Sequence, residues 1–138
     1  MPTTTQFVIA EQSKPGVLAR VADVLGSAGI NIKAFSALEN TGTAAGTLRF
    51  VLADPDKARK AFKDAKVPFT EETALVLSLP NRPGALSDIA QHLAKAQINI
   101  ACGYYTPSRE GGKAIVILTV SDTDKAVEVL RSQSLDVI

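Results

Sequence analysis

The 138-residue sequence holds one cysteine, one histidine, one methionine and no tryptophan, and its aromatic residues amount to 5%. A lone Cys102 cannot close an internal disulfide, and in its apolar stretch it reads as a small buried hydrophobe of a reducing compartment. There is no Cys-x-x-Cys or comparable metal-ligand cluster, no glycine-rich phosphate loop ending in Lys-Ser/Thr, and no Gly-x-Ser-x-Gly. Catalysis requires a poised acid, base or nucleophile. None stands out, so no enzyme, cofactor or metal is expected. Charge of one sign is missing too: 15 Lys and Arg against 14 Asp and Glu leave a net charge of +1. Such a chain has no basic field for phosphates or anionic lipid, which argues against direct nucleic-acid or membrane partners. No apolar run approaches the roughly 18 residues of a membrane span, and Met1 to Gln12 lacks the basic-then-apolar pattern of a secretion signal, so a cytoplasmic location is expected.

What is present is a globular composition, 46% hydrophobic and 21% charged, and an internal repeat. Lys14-Pro15-Gly16-Val17-Leu18 matches Arg82-Pro83-Gly84-Ala85-Leu86 at an offset of 68 residues (83 minus 15). Without a gap, that offset also maps Ala22 onto Ala90, Leu25 onto Leu93, Ile30-Asn31-Ile32 onto Ile98-Asn99-Ile100, and Asp54, Asp56 and Lys57 onto Asp122, Asp124 and Lys125.

Each half reads as a strand (Phe7 to Ala10; Leu75 to Leu79), a Pro-Gly turn, and a helix. The helices have apolar faces formed by Leu18, Val21, Ala22 and Leu25, and by Leu86, Ile89, Ala90 and Leu93. Gly29 supplies a left-handed C-terminal cap to the first helix; Gln97, in its place in the second, is less comfortable there. Strands from Asn31 and Asn99 follow, then turns at Asn40 to Thr43 and Pro107 to Gly112, then strands Thr47 to Leu52 and Lys113 to Val120. Second helices carry Ala58, Ala61, Phe62 and Ala65, and Ala126, Val129 and Leu130, with Asp56 and Asp124 suited to their N-termini. Short final strands Val67 to Thr70 and Leu135 to Ile138 complete an α+β class fold: two tandem ferredoxin-like βαββαβ units, antiparallel sheets with helices on one face, divided as 1–71 and 72–138. The near-absent linker leaves open an exchange of terminal strands. Ile115 and Ile117 stand where the first half has Thr47 and Arg49, so the second sheet has an apolar face opposite its helices, and homodimerisation through that face is expected.

A strand, then Asn81-Arg82-Pro83-Gly84-Ala85-Leu86, a helix and Ile98-Asn99-Ile100 resembles an ACT domain, and the first half repeats the pattern. The resemblance covers essentially the whole chain and is that of a stand-alone tandem ACT protein. It implies a regulatory module that pairs its units, binds a free amino acid at their interface and modulates a partner enzyme of amino-acid metabolism. Carried over, the loop Lys14, Pro15, Gly16, Val17 and Leu18 faces Asn99, Ile100 and Ala101. The loop Arg82, Pro83, Gly84, Ala85 and Leu86 faces Asn31, Ile32 and Lys33, giving two pseudo-equivalent sites.

The residue types suit that role. A helix start offers unpaired N–H groups and partial positive charge to a carboxylate, and Gly16 and Gly84 permit close approach. Asn31, Asn99 or Asn81 supplies oxygen acceptors for an ammonium group, while Lys33, Ala101, Val17 or Ala85 would select the side chain. Read without ligand, the Pro-Gly pairs are helix-starting turns and the asparagines strand-start caps. The alternatives are then a structural, oligomerising subunit with no small-molecule ligand, or a regulator acting through a DNA-binding partner.

Overall fold

The structure, a computed structural model, describes residues 3–107 and 112–132. Its elements run β1 (Thr3–Gln12), α1 (Val17–Ser27), β2 (Ile32–Glu39), β3 (Ala45–Leu52), α2 (Pro55–Asp64), β4 (Thr70–Pro80), α3 (Ala85–Lys95), β5 (Ile100–Pro107), β6 (Lys113–Val120) and α4 (Thr123–Ser132). They form two compact units, an N-terminal one of Thr5–Glu72 and a C-terminal one that takes the chain from Thr73 together with Thr3 and Thr4. The α+β, ferredoxin-like pattern therefore occurs twice.

In the N-terminal unit β3 pairs antiparallel with both β1 and β2, with Phe7 opposite Phe50 and Ile9 opposite Leu48. These residues alternate with outward-facing ones, as a half-buried strand requires, and join Val21, Leu25, Ala58 and Phe62 in the core. Phe7, Phe62 and Phe69 meet edge-on or tilted, with centroids 5.4 to 5.8 Å apart. In the C-terminal unit β6 pairs antiparallel with β4 and β5, Leu75 opposite Leu118 and Leu77 opposite Val116. Ile89, Leu93, Ala126 and Leu130 close that core. Among the aromatic differences between the two, Phe35 stacks on Phe50 at 6.2 Å, whereas the matching Gly103 leaves its space to Leu118, whose Cδ2 would lie 2.8 Å from an added Cβ.

The helices differ from expectation in one consistent way. Leu18 is 38% and Leu86 56% exposed, although both stand on the apolar faces read from the sequence. In α1 the stripe runs instead through Val17, Val21, Val24, Leu25 and Ala28, and in α3 through Ala85, Ile89, Leu93 and Ala96. The residue at the first helical position lies four before Val21 or Ile89 and shares their core-facing side, and the leucine after it turns away. At the second helices Asp54 and Asp122 are the caps, accepting the N–H of Lys57 at 3.1 Å and of Lys125 at 3.0 Å. Asp56 and Asp124 lie in the first turns, as expected.

Three further expectations change. The strand assigned to Val67 to Thr70 begins only at Thr70 and runs without a loop into the one assigned to Leu75 to Leu79, as β4. Val67 is held in the core and Phe69 packs against it. The strand Leu135 to Ile138 lies outside the described residues. Cys102 is half-buried rather than buried, on β5 opposite Thr119. Ile117 is only 6% exposed and Ile115 half-buried, so neither is the openly exposed apolar residue expected there. Gln97 takes φ 60° where Gly29 takes 72°, the strained left-handed cap anticipated from the sequence.

Candidate functional site

Each Pro-Gly loop leads into a helix through a glycine in the left-handed region, Gly16 at φ 93° and Gly84 at 89°. The turns match bond for bond: Val17 N–H donates to Lys14 O and Ala85 N–H to Arg82 O, while Arg20 and Asp88 N–H donate to Gly16 O and Gly84 O at 2.9 and 3.0 Å. A left-handed cap is strained for any side chain, which is the physical reason for glycine at both places.

Neither glycine can cap with a side chain, and none does so from elsewhere. The N–H groups of Leu18 and Ala19, and of Leu86 and Ser87, fall in first turns where no helical carbonyl can reach them. α2, by contrast, has its aspartate cap. The α1 start also has no acidic residue in its first turn; α3 has Asp88, which is paired with Arg82 at 3.0 Å. Within each unit the uncapped end sits at a cavity, about 260 Å³ in the N-terminal unit and about 280 Å³ in the C-terminal one.

The two cavities occupy equivalent places. Lys14, Val17 and Leu18 line the first; Asn81, Arg82, Gly84, Ala85 and Leu86 line the second. Pro15 and Pro83 shape the loops without lining them. The opposite walls, which sequence reasoning missed, come from the sheet: Ala37, Glu39 and Gly46 in one unit, Tyr105, Ala114 and Val116 in the other. A usable signal was the repeat itself, which sets Ala37 against Tyr105 and Glu11 against Leu79.

Asn31, Ile32 and Lys33 are not brought to the loop of their own unit, nor are Asn99, Ile100 and Ala101. They begin the strands whose far ends line the cavities, roughly 20 Å away at about 3.3 Å per residue. There Asn31 O accepts from Ala53 N–H at 3.0 Å, Asn99 O accepts from Ser121 N–H at 2.9 Å, and Asn99 N–H donates to Ser121 Oγ at 2.9 Å. Ile32 and Ile100 pack on the cores. Lys33 and Ala101 are the exposed extra residues where the register shifts, between Ile32 and Ala34 and between Ile100 and Cys102. A bulge of this kind re-aims a side chain off the regular pleat.

The electrostatics of the cavities differ. Glu11, paired with Arg20 at 2.5 Å, and Glu39, which accepts from Ser13 Oγ at 2.6 Å, both line the first. The second has Leu79 and Tyr105 in the positions of Glu11 and Ala37. Among the described residues no group of three or more His, Cys, Asp or Glu side chains is placed to hold a metal ion, and no helix is long and apolar enough to cross a membrane. His92 is half-buried on α3.

Comparison with known proteins identifies the fold and the family. A protein from Bacteroides thetaiotaomicron, known from its crystal structure, is 32% identical, covers 99% of this chain and 92% of its own, and superposes with a TM-score of 0.90. The regulatory subunits of aspartate kinase from Thermus flavus and Thermus thermophilus, both 16% identical, share the fold at TM-scores of 0.66 and 0.63. They cover 96% and 95% of this chain, and 90% and 91% of their own. No curated protein matches the sequence. The profile of the ACT domain pair matches residues 2–138, and the chain belongs to that family.

Proposed function

We propose that this ACT domain pair is a non-catalytic regulatory module that binds a free amino acid at its Pro-Gly loops and passes its occupancy to a partner enzyme. The observation that carries the reading is the pair of glycine-started helices, each opening uncapped on a cavity of its own unit. Their free N–H groups and dipole suit the one group all amino acids share, the carboxylate. Chains of the same fold serve as regulatory subunits of aspartate kinase in Thermus, and an enzyme of amino-acid metabolism is the proposed partner here. Asn31 and Asn99 stand far along the strand from the loop of their own unit.

The test is a thermal-shift screen of the purified chain against the common amino acids at millimolar concentration. A ligand at about a hundred times its Kd adds about 2.7 kcal/mol, a rise on the order of ten degrees for a chain of this size. Gly16→Val with Gly84→Val should abolish it. A flat response to every amino acid refutes the reading. The 51% exposed Phe35 and 61% exposed Leu38 on β2 favour a second one, a homodimerising structural subunit. In that case light scattering gives a dimer that Phe35→Ser and Leu38→Ser dissociate.

A further inference from the structure

Four of the five large apolar side chains most exposed among the described residues line the two cavities, Leu86 at 56% and Tyr105 at 60% in the C-terminal unit, Leu18 at 38% and Leu38 at 61% in the N-terminal one. Exposed apolar side chains are individually ordinary, but two lining a concave site are the usual wall of a small-molecule pocket. Leu79, 4% exposed, and Val116, 2% exposed, form the floor of the C-terminal cavity. Its polar rim is confined to the loop, where Asn81 offers an acceptor and donors, Arg82 a guanidinium shared with Asp88, and α3 its open N–H groups. The site is thus apolar along one wall and suited to a carboxylate and an ammonium along the other.

The equivalent cavity in the N-terminal unit keeps apolar walls in Leu18 and Leu38 but sets carboxylates beside them. Glu11 replaces Leu79 and Ala37 replaces Tyr105, and the carboxylates of Glu11 and Glu39 border the space an apolar side chain would need to fill. Burying a carboxylate against an apolar group without new partners is costly.

From this asymmetry we infer that the two sites are not equivalent, and that the C-terminal cavity is the one that takes an amino acid with an apolar side chain of leucine or phenylalanine size. The inference rests on the amino-acid-binding reading above and narrows it to a ligand class and to one unit. The carboxylate lies on the α3 N–H groups and Arg82, the ammonium on Asn81, and the side chain along Leu86 and Tyr105.

Isothermal titration of the full chain with leucine, phenylalanine, lysine and glutamate tests it. Leu86→Ser and Tyr105→Ser change exposed positions and should leave the fold intact, which circular dichroism checks; Leu18→Ser in the other unit is the control. The expected result is one binding event per chain for leucine or phenylalanine, weakened about tenfold by either C-terminal variant and changed less than about twofold by Leu18→Ser. Tight binding of lysine or glutamate, or of any amino acid with affinity lost on Leu18→Ser and kept in Leu86→Ser and Tyr105→Ser, overturns this inference and leaves the sensor reading standing. Heat from none of the common amino acids overturns both.

Discussion

The repeat offers an internal exchange experiment at the ends of α1 and α3. Gly29 and Gln97 are the same position in two copies, at φ 72° and 60°. An L-residue in that region carries a steric cost of roughly 1–2 kcal/mol. Glycine removes it but adds unfolded-state freedom worth roughly 0.5–1 kcal/mol. Gln97→Gly should therefore stabilise by about 0.5–1 kcal/mol. Gly29→Gln should destabilise by a similar amount, because the only atom an added Cβ meets is the mobile Lys57 Nζ at 3.5 Å, and crowding contributes little. Urea denaturation followed by circular dichroism reads both, as midpoint shifts of opposite sign at constant slope, and the Tm moves by about 2–5 °C in each direction. The pair combined should return close to the parent, as independent sites do. A Gln97→Gly variant that is less stable than the parent would refute the reasoning, since it would mean that glutamine makes a contact there worth more than its strain.

Other consequences follow from the packing and charges. Phe62→Ala empties the centre of the Phe7, Phe62 and Phe69 cluster and should cost about 3–5 kcal/mol in the same assay. Asp54→Ala and Asp122→Ala each remove an N-terminal cap and should each cost about 1 kcal/mol. Hydrogen bonds from Arg59 are the main reason the Glu71 carboxyl titrates below its ordinary value. A carboxylate whose folded pKa is depressed contributes stability above its unfolded pKa and loses it as pH falls through the folded one. Glu71→Gln should accordingly be less stable than the parent at pH 6 and converge on it as the pH drops below about 4.5; a difference that does not narrow in a pH series of melts rules this out.

Much of this architecture was legible because the chain states it twice. The 68-residue offset located both helix starts and both Ile-Asn-Ile strand starts, and the left-handed strain at Gln97 could be foreseen because its counterpart is glycine. What escaped was which residues of a helix face inward. Leu18 and Val17 both satisfy a helical apolar spacing with Val21 and Leu25, and only the packing of the folded helix shows that Val17 is the one on the core. The merging of two expected strands into β4 was hidden for a related reason: Glu71 and Glu72 resemble a polar linker, yet they are strand residues held by Arg59, Arg49 and Gln6. For the site, the loop half was readable from Pro-Gly chemistry. The sheet half was not, because Ala37 and Tyr105 enter through the register of edge strands that extend past the apolar runs marking them in the sequence.

The most direct test of the central claim looks at the backbone amides themselves. In a titration of isotope-labelled chain followed by proton–nitrogen NMR, the account expects an amino-acid ligand to move the N–H signals of Leu86 and Ser87, or of Leu18 and Ala19, as those groups take up a carboxylate. Saturable shifts there, absent with the corresponding amine that lacks the carboxylate, are the predicted result. Binding that leaves all four signals unmoved would contradict it.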